Sequence, residues 1–517
     1  MDRPQPRGTA LTPSRGGLPE DPVPAPAEGG SGSYKQELAR SLTIRGNILI
    51  TLSAVTPASS VFIIIPAVLV AIGGASFIAF VVAAFVGIFM AFCYAELASA
   101  FPIAGGEYSF VARVLGKATG FALFLMNALT NILIIGVIAL GTGQYLAAAV
   151  AGADSKWVGV VVIVICAGVA VLNIRTNAWV TGTCLFFEMA ALAVLTVLGV
   201  LHVSRPVGAL FTPQTVDAHG VLVGAGLGLV AAQMATAIFA YNGYGAAVYF
   251  AEETRNAAQS IGRAILWSLG ITIVAEIVPM TAVILGAPDL GKLLSDPAPM
   301  QYFVSSRGGA VLNVIVSLAI AVAIINAVVA ITLQGGRMIY SSARDRAYPD
   351  PVSSLLGRVH PRLQTPIPAT LFVGAAAAVI AAIVPIKSLI IATGATLVAL
   401  YLIVALAAIV GRRNGTTAHA PYRMPLWPLA PVVVIVVLGY VAVQLWETDP
   451  RQVIVAAAVL VVGYVYYYAY LFRQRETRWT MPAAPDEHAE EPGGVLMGPI
   501  LEIDAPGTPD GDGVARP

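Results

Sequence analysis

Apolar stretches of membrane-spanning length recur along these 517 residues, with no soluble-looking block between them. A bilayer core is crossed by about 20 apolar residues in a helix, and irregular backbone exposed to lipid leaves its polar groups unpaired. On that ruler the chain holds about twelve spans, among them Asn47–Ile72, Ala118–Ala148, Trp179–Leu201, Leu222–Phe250, Ala264–Leu285 and Ala310–Leu333. Charged residues make up 11% of the chain and hydrophobic ones 57%, against roughly 25% charged in soluble domains. An ordinary water-soluble enzyme is excluded.

The expected fold is an all-α integral membrane domain over residues 41–472. Cytoplasmic tails at 1–40 and 473–517 flank it, too rich in Pro, Gly and polar residues to offset their ordering entropy. The first apolar run is too long for a signal peptide and is expected to stay as a span. With the N-terminus in the cytoplasm, inner loops carry 13 Lys and Arg and outer loops 6. The positive-inside rule then puts both termini inside, in a multi-pass protein of the cell membrane. A net charge of +1 gives no reason to expect a nucleic-acid partner; the bilayer and a small solute are the expected partners. Cys93, Cys166 and Cys184 all lie in apolar runs and imply no disulfide framework.

Two spans are interrupted. The first reads LSAVTPASSVFIIIP from Leu52, with Thr56, Pro57, Ser59 and Ser60 at its middle. The sixth reads AYNGYGAAVYFAEETRN from Ala240, where Asn242, Gly243 and Gly245 disfavour a continuous helix. Interruptions five spans apart point to a five-plus-five inverted repeat, about 47–201 and 222–410, with a central site and additional helices over 429–472. A helix restarting near Ser59 presents the N–H groups of Ser60, Val61 and Phe62 to a carboxylate, while the carbonyls of Ala54 and Val55 suit an ammonium group. Tyr241 and Tyr244 add aromatic faces. A small zwitterion or organic cation fits this arrangement. Asn127 and Asn131 share one face of the third span and are further candidates for the cavity wall, as are Asn326, Gln334, Thr393 and Thr396.

Glu188 and Glu276 fall deep inside the fifth and seventh spans. An ionisable residue at such depth is costly unless protonated, paired or hydrated, which makes both functional candidates. Glu252, Glu253, Arg113, Arg255 and the Arg344-Asp345-Arg346 group sit at inner helix ends, where ion pairs can close a gate. No HExxH run is present, and His202, His219, His360, His419 and His488 are scattered, so no metal site, cofactor or enzymatic chemistry is expected.

Four segments in this order resemble the amino acid-polyamine-organocation (APC) superfamily of secondary transporters. They are the first-span break, YAELASAFPIAGGEYSFVARVLG from Tyr94, the sixth-span AYNGYGAAVYFAEETRN, and GRMIYSSARDRAYP from Gly336. The likeness covers roughly Ser41 to Phe472. It implies the leucine-transporter fold, a site formed by the first, third, sixth, eighth and tenth helices, and packing of Gly105, Gly106, Glu107 and Tyr108 at the cytoplasmic gate. Thr56, Ser59, Ser60, Phe239, Tyr241, Asn242, Gly243, Gly245 and Asn127 are the expected substrate contacts. Many members have a Gly-Ser-Gly triplet where this chain has Ala58-Ser59-Ser60, and some have Trp at Phe239 and a gating Glu at Gly245. Several place a Lys near Glu188, so a titratable acid stands here in place of a fixed positive charge.

The expected function is secondary active transport of amino acids or related small amines, coupled to protons, with Glu188 and Glu276 as the coupling acids. A polyamine or organic amine transporter, an amino acid exchanger and a transporter-like nutrient sensor are the other readings. Sodium is the alternative coupling ion.

Overall fold

A computed structural model of the chain describes residues 42–103, 105–147, 155–172, 174–217 and 219–481. Residues 1–41 and 482–517, which include most of the tails expected at 1–40 and 473–517, lie outside the described residues. Among the described residues, nine helices are long and apolar enough to cross a membrane: Ile44–Ile72, Ser76–Ala100, Lys117–Gly143, Gly182–Leu201, Ala257–Gly286, Pro299–Arg344, Ile386–Arg413, Leu429–Thr448 and Pro450–Gln474. Two shorter apolar helices, Lys156–Ala170 and Ile367–Ile383, and the interrupted pair Leu227–Tyr241 and Ala246–Tyr249 pack among them.

The first helix segment, Ile44–Val55, is wrapped by Ala257–Gly286, Ile174–Leu201 and Pro299–Arg344. Its residues from Ile50 to Val55 are buried, which puts the expected break at the centre of the bundle. The last helix is the opposite case: Val461, Val462 and Val465 are exposed, an apolar outer face suited to lipid rather than water.

Three boundaries differ from expectation. Leu222–Gly224 is not the start of the sixth span but a strand, paired antiparallel with Gln214–Val216. Asp217 closes this hairpin, its Oδ1 accepting from the N–H groups of His219 at 2.9 Å and Val221 at 2.8 Å, and the helix begins only at Leu227. Apolar β-branched residues beside an Asx turn look helical to a hydropathy window but fold as a ribbon. The eighth span runs from Pro299 to Arg344, bent at Gly309 (φ 81°), well past Leu333 where the apolar pattern stops. It continues because Arg337, buried on that helix, is neutralised by Glu253. Finally, within residues 473–481, expected in the tail, Arg478 and Trp479 are buried against the bundle, Trp479 fully.

The two ends of the bundle are unlike. At the hairpin end a cavity of about 760 Å³ opens between Ile63, Pro66, Leu229, Asp296, Lys387 and Asp449. At the other end Arg337 Nε meets Glu253 Oε1 at 2.5 Å and Arg344 Nη1 meets Glu252 Oε2 at 3.2 Å. The Tyr108 hydroxyl lies 2.8 Å from Ser341 Oγ and 3.2 Å from Asp345 Oδ2. Trp479 stacks on Tyr108 at 5.1 Å, and its indole N–H donates to the Lys117 carbonyl at 3.0 Å.

Candidate substrate site

The first helix stops at Val55 because Thr56 adopts a left-handed conformation, φ 50°. Pro57 then opens the next turn, where its missing N–H is no loss because the first helical donors are unpaired in any case. Wide π-type turns over Ser60–Ile64 lead into Ile65–Ile72. In the sixth span the helix ends at Asn242, whose backbone is extended, and Gly243 follows at φ 119°.

The two breaks touch. A Cβ on Gly243 would lie 2.7 Å from Val55 Cα and 2.9 Å from Val55 N, so only glycine lets the sixth span approach the first this closely. Ser60 Oγ ties the seam by donating to the Ala240 carbonyl at 2.9 Å.

Two small cavities flank this seam and share Asn131, Ile134, Asn242, Gly243 and Gln334. One extends to Ala54, Val55, Ser60 and Phe239, the other to Tyr94, Glu107, Asn127, Gly245 and Tyr401. With volumes near 10 and 20 Å³ each has room for about one water molecule, so a larger solute fits only if the helices separate. Of the residues expected to touch substrate, Ser60, Phe239, Asn242, Gly243, Gly245 and Asn127 line these cavities. Thr56, Ser59 and Tyr241 do not. Thr56 turns toward Glu188, Ser59 accepts from the Thr56 hydroxyl, and Tyr241 packs edge-on against Phe80 at 5.4 Å.

Glu188 occupies the helix restart itself. Ala58 N–H donates to Glu188 Oε1 at 2.8 Å, and the Thr56 hydroxyl bridges that oxygen at 3.2 Å and Ser59 Oγ at 2.7 Å. The structure differs here from expectation, since the anion at the restart is the protein's own. Ser60 N–H, expected to await a substrate carboxylate, is already bonded to the Thr56 carbonyl at 3.1 Å. Glu188 Oε2 and both carboxyl oxygens of Glu276 have no hydrogen-bond partner among the described residues. Glu276 is fully buried like Glu188, on the helix Ala257–Gly286, which packs against both Ile174–Leu201 and the Pro57–Ser59 segment of the break.

Glu107 is the residue that sequence reasoning assigned only to gate packing. It opens the helix Glu107–Val114 after Gly106, whose φ of 66° and missing side chain let the loop press against the Tyr249 ring. Asn127 Nδ2 donates to Glu107 Oε2 at 2.7 Å, the Tyr249 hydroxyl donates to the same oxygen, and the Tyr94 hydroxyl donates to Oε1 at 3.1 Å. Burial raises the Glu107 carboxyl above its ordinary pKa, while these hydrogen bonds, led by Tyr249, and one from the backbone pull it down. Its position as the first residue of a helix was the available signal, because a carboxylate there is favoured by the unpaired N–H groups. Arg337, which pairs with Glu253, was also missed. It lay within a recognised motif but inside what read as polar loop.

Among the described residues no cluster of three or more His, Cys, Asp or Glu is placed to hold a metal ion. The architecture offers polar groups around a cavity between broken helices, the arrangement of a binding and transport site.

The family model for amino acid permeases matches residues 46–472. The chain is 24% identical to the methylthioribose transporter of Bacillus subtilis (strain 168), covering 78% of this chain and 87% of that one. It is 23% identical to the branched-chain amino acid permease BcaP of the same organism, with coverages of 86% and 95%. An uncharacterized transporter of Mycobacterium tuberculosis is 30% identical over 83% of this chain and 91% of its own length. The chain belongs to the amino acid permease family of the APC superfamily, and is a multi-pass membrane transporter rather than an enzyme.

Proposed function

We propose that this protein is a proton-coupled secondary transporter carrying amino acids or related small amines through the site between its two broken helices. In this reading the chain crosses the membrane twelve times with both termini in the cytoplasm, two five-helix repeats over about 47–201 and 222–410 enclose the site, and helices over 429–472 stand outside them. The 760 Å³ cavity is then the outer vestibule, and the Glu253–Arg337 end is the closed cytoplasmic gate.

The observation that carries the reading is the contact of Gly243 with Val55, which brings two interrupted helices to one point beside enclosed polar cavities. Coupling rests on Glu188. Ionised, it caps the restart of the first helix through Ala58 N–H, a charge-assisted bond aided by the helix dipole. A proton arriving at the unpartnered Oε2 removes the charge, weakens that cap and frees the first helix to tilt. A charge change at a bistable element is what coupling requires. Glu276, a second fully buried acid on the helix packed against that of Glu188, is the other coupling acid of this reading.

Counterflow in liposomes, with a labelled panel of amino acids and amines, tests the transport reading. Exchange of at least one member supports it. Silence across the panel from protein shown to be folded would overturn it, and ligand binding without flux would favour a nutrient sensor.

A further inference from the structure

We propose that Glu107, Asn127 and Asn131 form an acceptor wall that selects substrates carrying a second, distal amine, either diamino acids or α,ω-diamines, over substrates with an apolar tail. This rests on the transport reading above and deepens it by naming a substrate class.

The wall follows from donor and acceptor chemistry. A carboxylate can only accept, so Asn127 must turn its Nδ2 to Glu107 Oε2, where the bond measures 2.7 Å. That leaves Asn127 Oδ1 to accept, and Asn131 Nδ2 donates to it at 3.1 Å. Asn131 Oδ1 is therefore left as a bare acceptor, buried and without a partner among the described residues. Asn131 lines both cavities at the seam. One charge thus orients two amides, and the last oxygen in the chain is left unpaired on a residue that lines the site.

Glu107 itself supplies a second acceptor. Oε2 is bonded by Asn127 and Tyr249, while Oε1 is bonded by Tyr94 alone and borders Gly245, where a Cβ would stand 3.1 Å away. Its three hydrogen-bonding side chains are all neutral, so the buried carboxylate lacks a counter-charge among the described residues. A distal ammonium, with three N–H donors and no acceptor, meets both needs. It brings the missing charge and satisfies Asn131 Oδ1. An apolar tail leaves Asn131 Oδ1 unpaired and the Glu107 charge without a counter-ion, and a site built for N–H donors strongly rejects the analogue lacking them.

The test is competition counterflow in liposomes with lysine, ornithine and putrescine against leucine and valine. For the wild type, the distal-amine solutes are expected to compete at concentrations at least tenfold below leucine. Glu107→Gln should lower the ratio of ornithine to leucine flux at least tenfold, because a neutral amide removes the charge and lets Asn127 and Asn131 flip. Asn131→Asp, which adds a charge at the bare acceptor and leaves Glu107 in place, should raise that ratio and keeps the test decisive if the glutamine variant misfolds. Leucine flux without distal-amine preference in the wild type, or a ratio that neither variant moves, overturns this proposal alone. Absence of flux for every solute from folded protein overturns the transport reading and this one with it.

Discussion

Glu188 Oε1 accepts a hydrogen bond from Ala58 N–H at 2.8 Å, so a buried acid from one helix caps the restart of another. Replacement of Glu188 by Gln keeps an acceptor for Ala58 but removes the titratable charge. Exchange of substrate across liposomes should persist in Glu188→Gln, while accumulation driven by a pH gradient should be lost. Parallel loss of both activities in a folded variant would make Glu188 a structural cap and nothing more.

Gly243 is placed where a side chain cannot go. Gly243→Val puts a Cβ within 2.7 Å of Val55 Cα and holds a β-branched residue at φ 119°, a strain of about 1–3 kcal/mol before the clash is counted. Substrate binding should fall below detection, measured by ligand-dependent thermal shift of the purified protein. Gly245→Ala is the milder probe. Its Cβ would meet the Tyr94 ring at 3.0 Å and Glu107 Oε1 at 3.1 Å, so weakened rather than abolished binding is expected.

The breaks themselves were legible in the sequence, because proline removes a backbone donor and an Asn-Gly pair favours a turn, and neither suits the middle of a continuous apolar helix. Glu188 was legible as an acid at the wrong depth for a lipid-facing residue. What it bonds was not legible, since the helix restarts at Pro57 and not at Ser59, and that two-residue difference exchanges free N–H groups for bonded ones. The strand at Leu222–Gly224 escaped because hydropathy does not distinguish a short β-ribbon from the start of a span. Glu107 escaped for another reason: its three side-chain partners come from Tyr94, Asn127 and Tyr249, which no local pattern brings together.

The ion pair Arg337–Glu253 is almost wholly excluded from solvent, at 0% and 2% side-chain exposure. Removing one partner strands a buried charge, at a cost of about 3–5 kcal/mol. Arg337→Met and Glu253→Leu should each lower the thermal unfolding temperature sharply. The double variant should recover most of the loss, because no lone charge remains. Additive losses in this double-mutant cycle would show that the two residues act separately.

Trp479 fastens the end of the described chain to the gate. Trp479→Ala removes the stack on Tyr108, the edge contact with Phe121 at 5.2 Å and the bond to the Lys117 carbonyl. A destabilisation of about 3–5 kcal/mol is expected, as for other buried aromatic truncations. Unfolding in detergent, followed by the fluorescence of a label outside this region, measures it. An unchanged midpoint would mean that the contact contributes nothing to the stability of the fold.

Proton coupling is tested most directly by uptake into liposomes loaded at neutral pH and diluted into acidic buffer without sodium. Accumulation of at least one amino acid or amine above its equilibrium level, abolished when a protonophore collapses the gradient, is the predicted result. Uptake that requires sodium and ignores the pH gradient would contradict it.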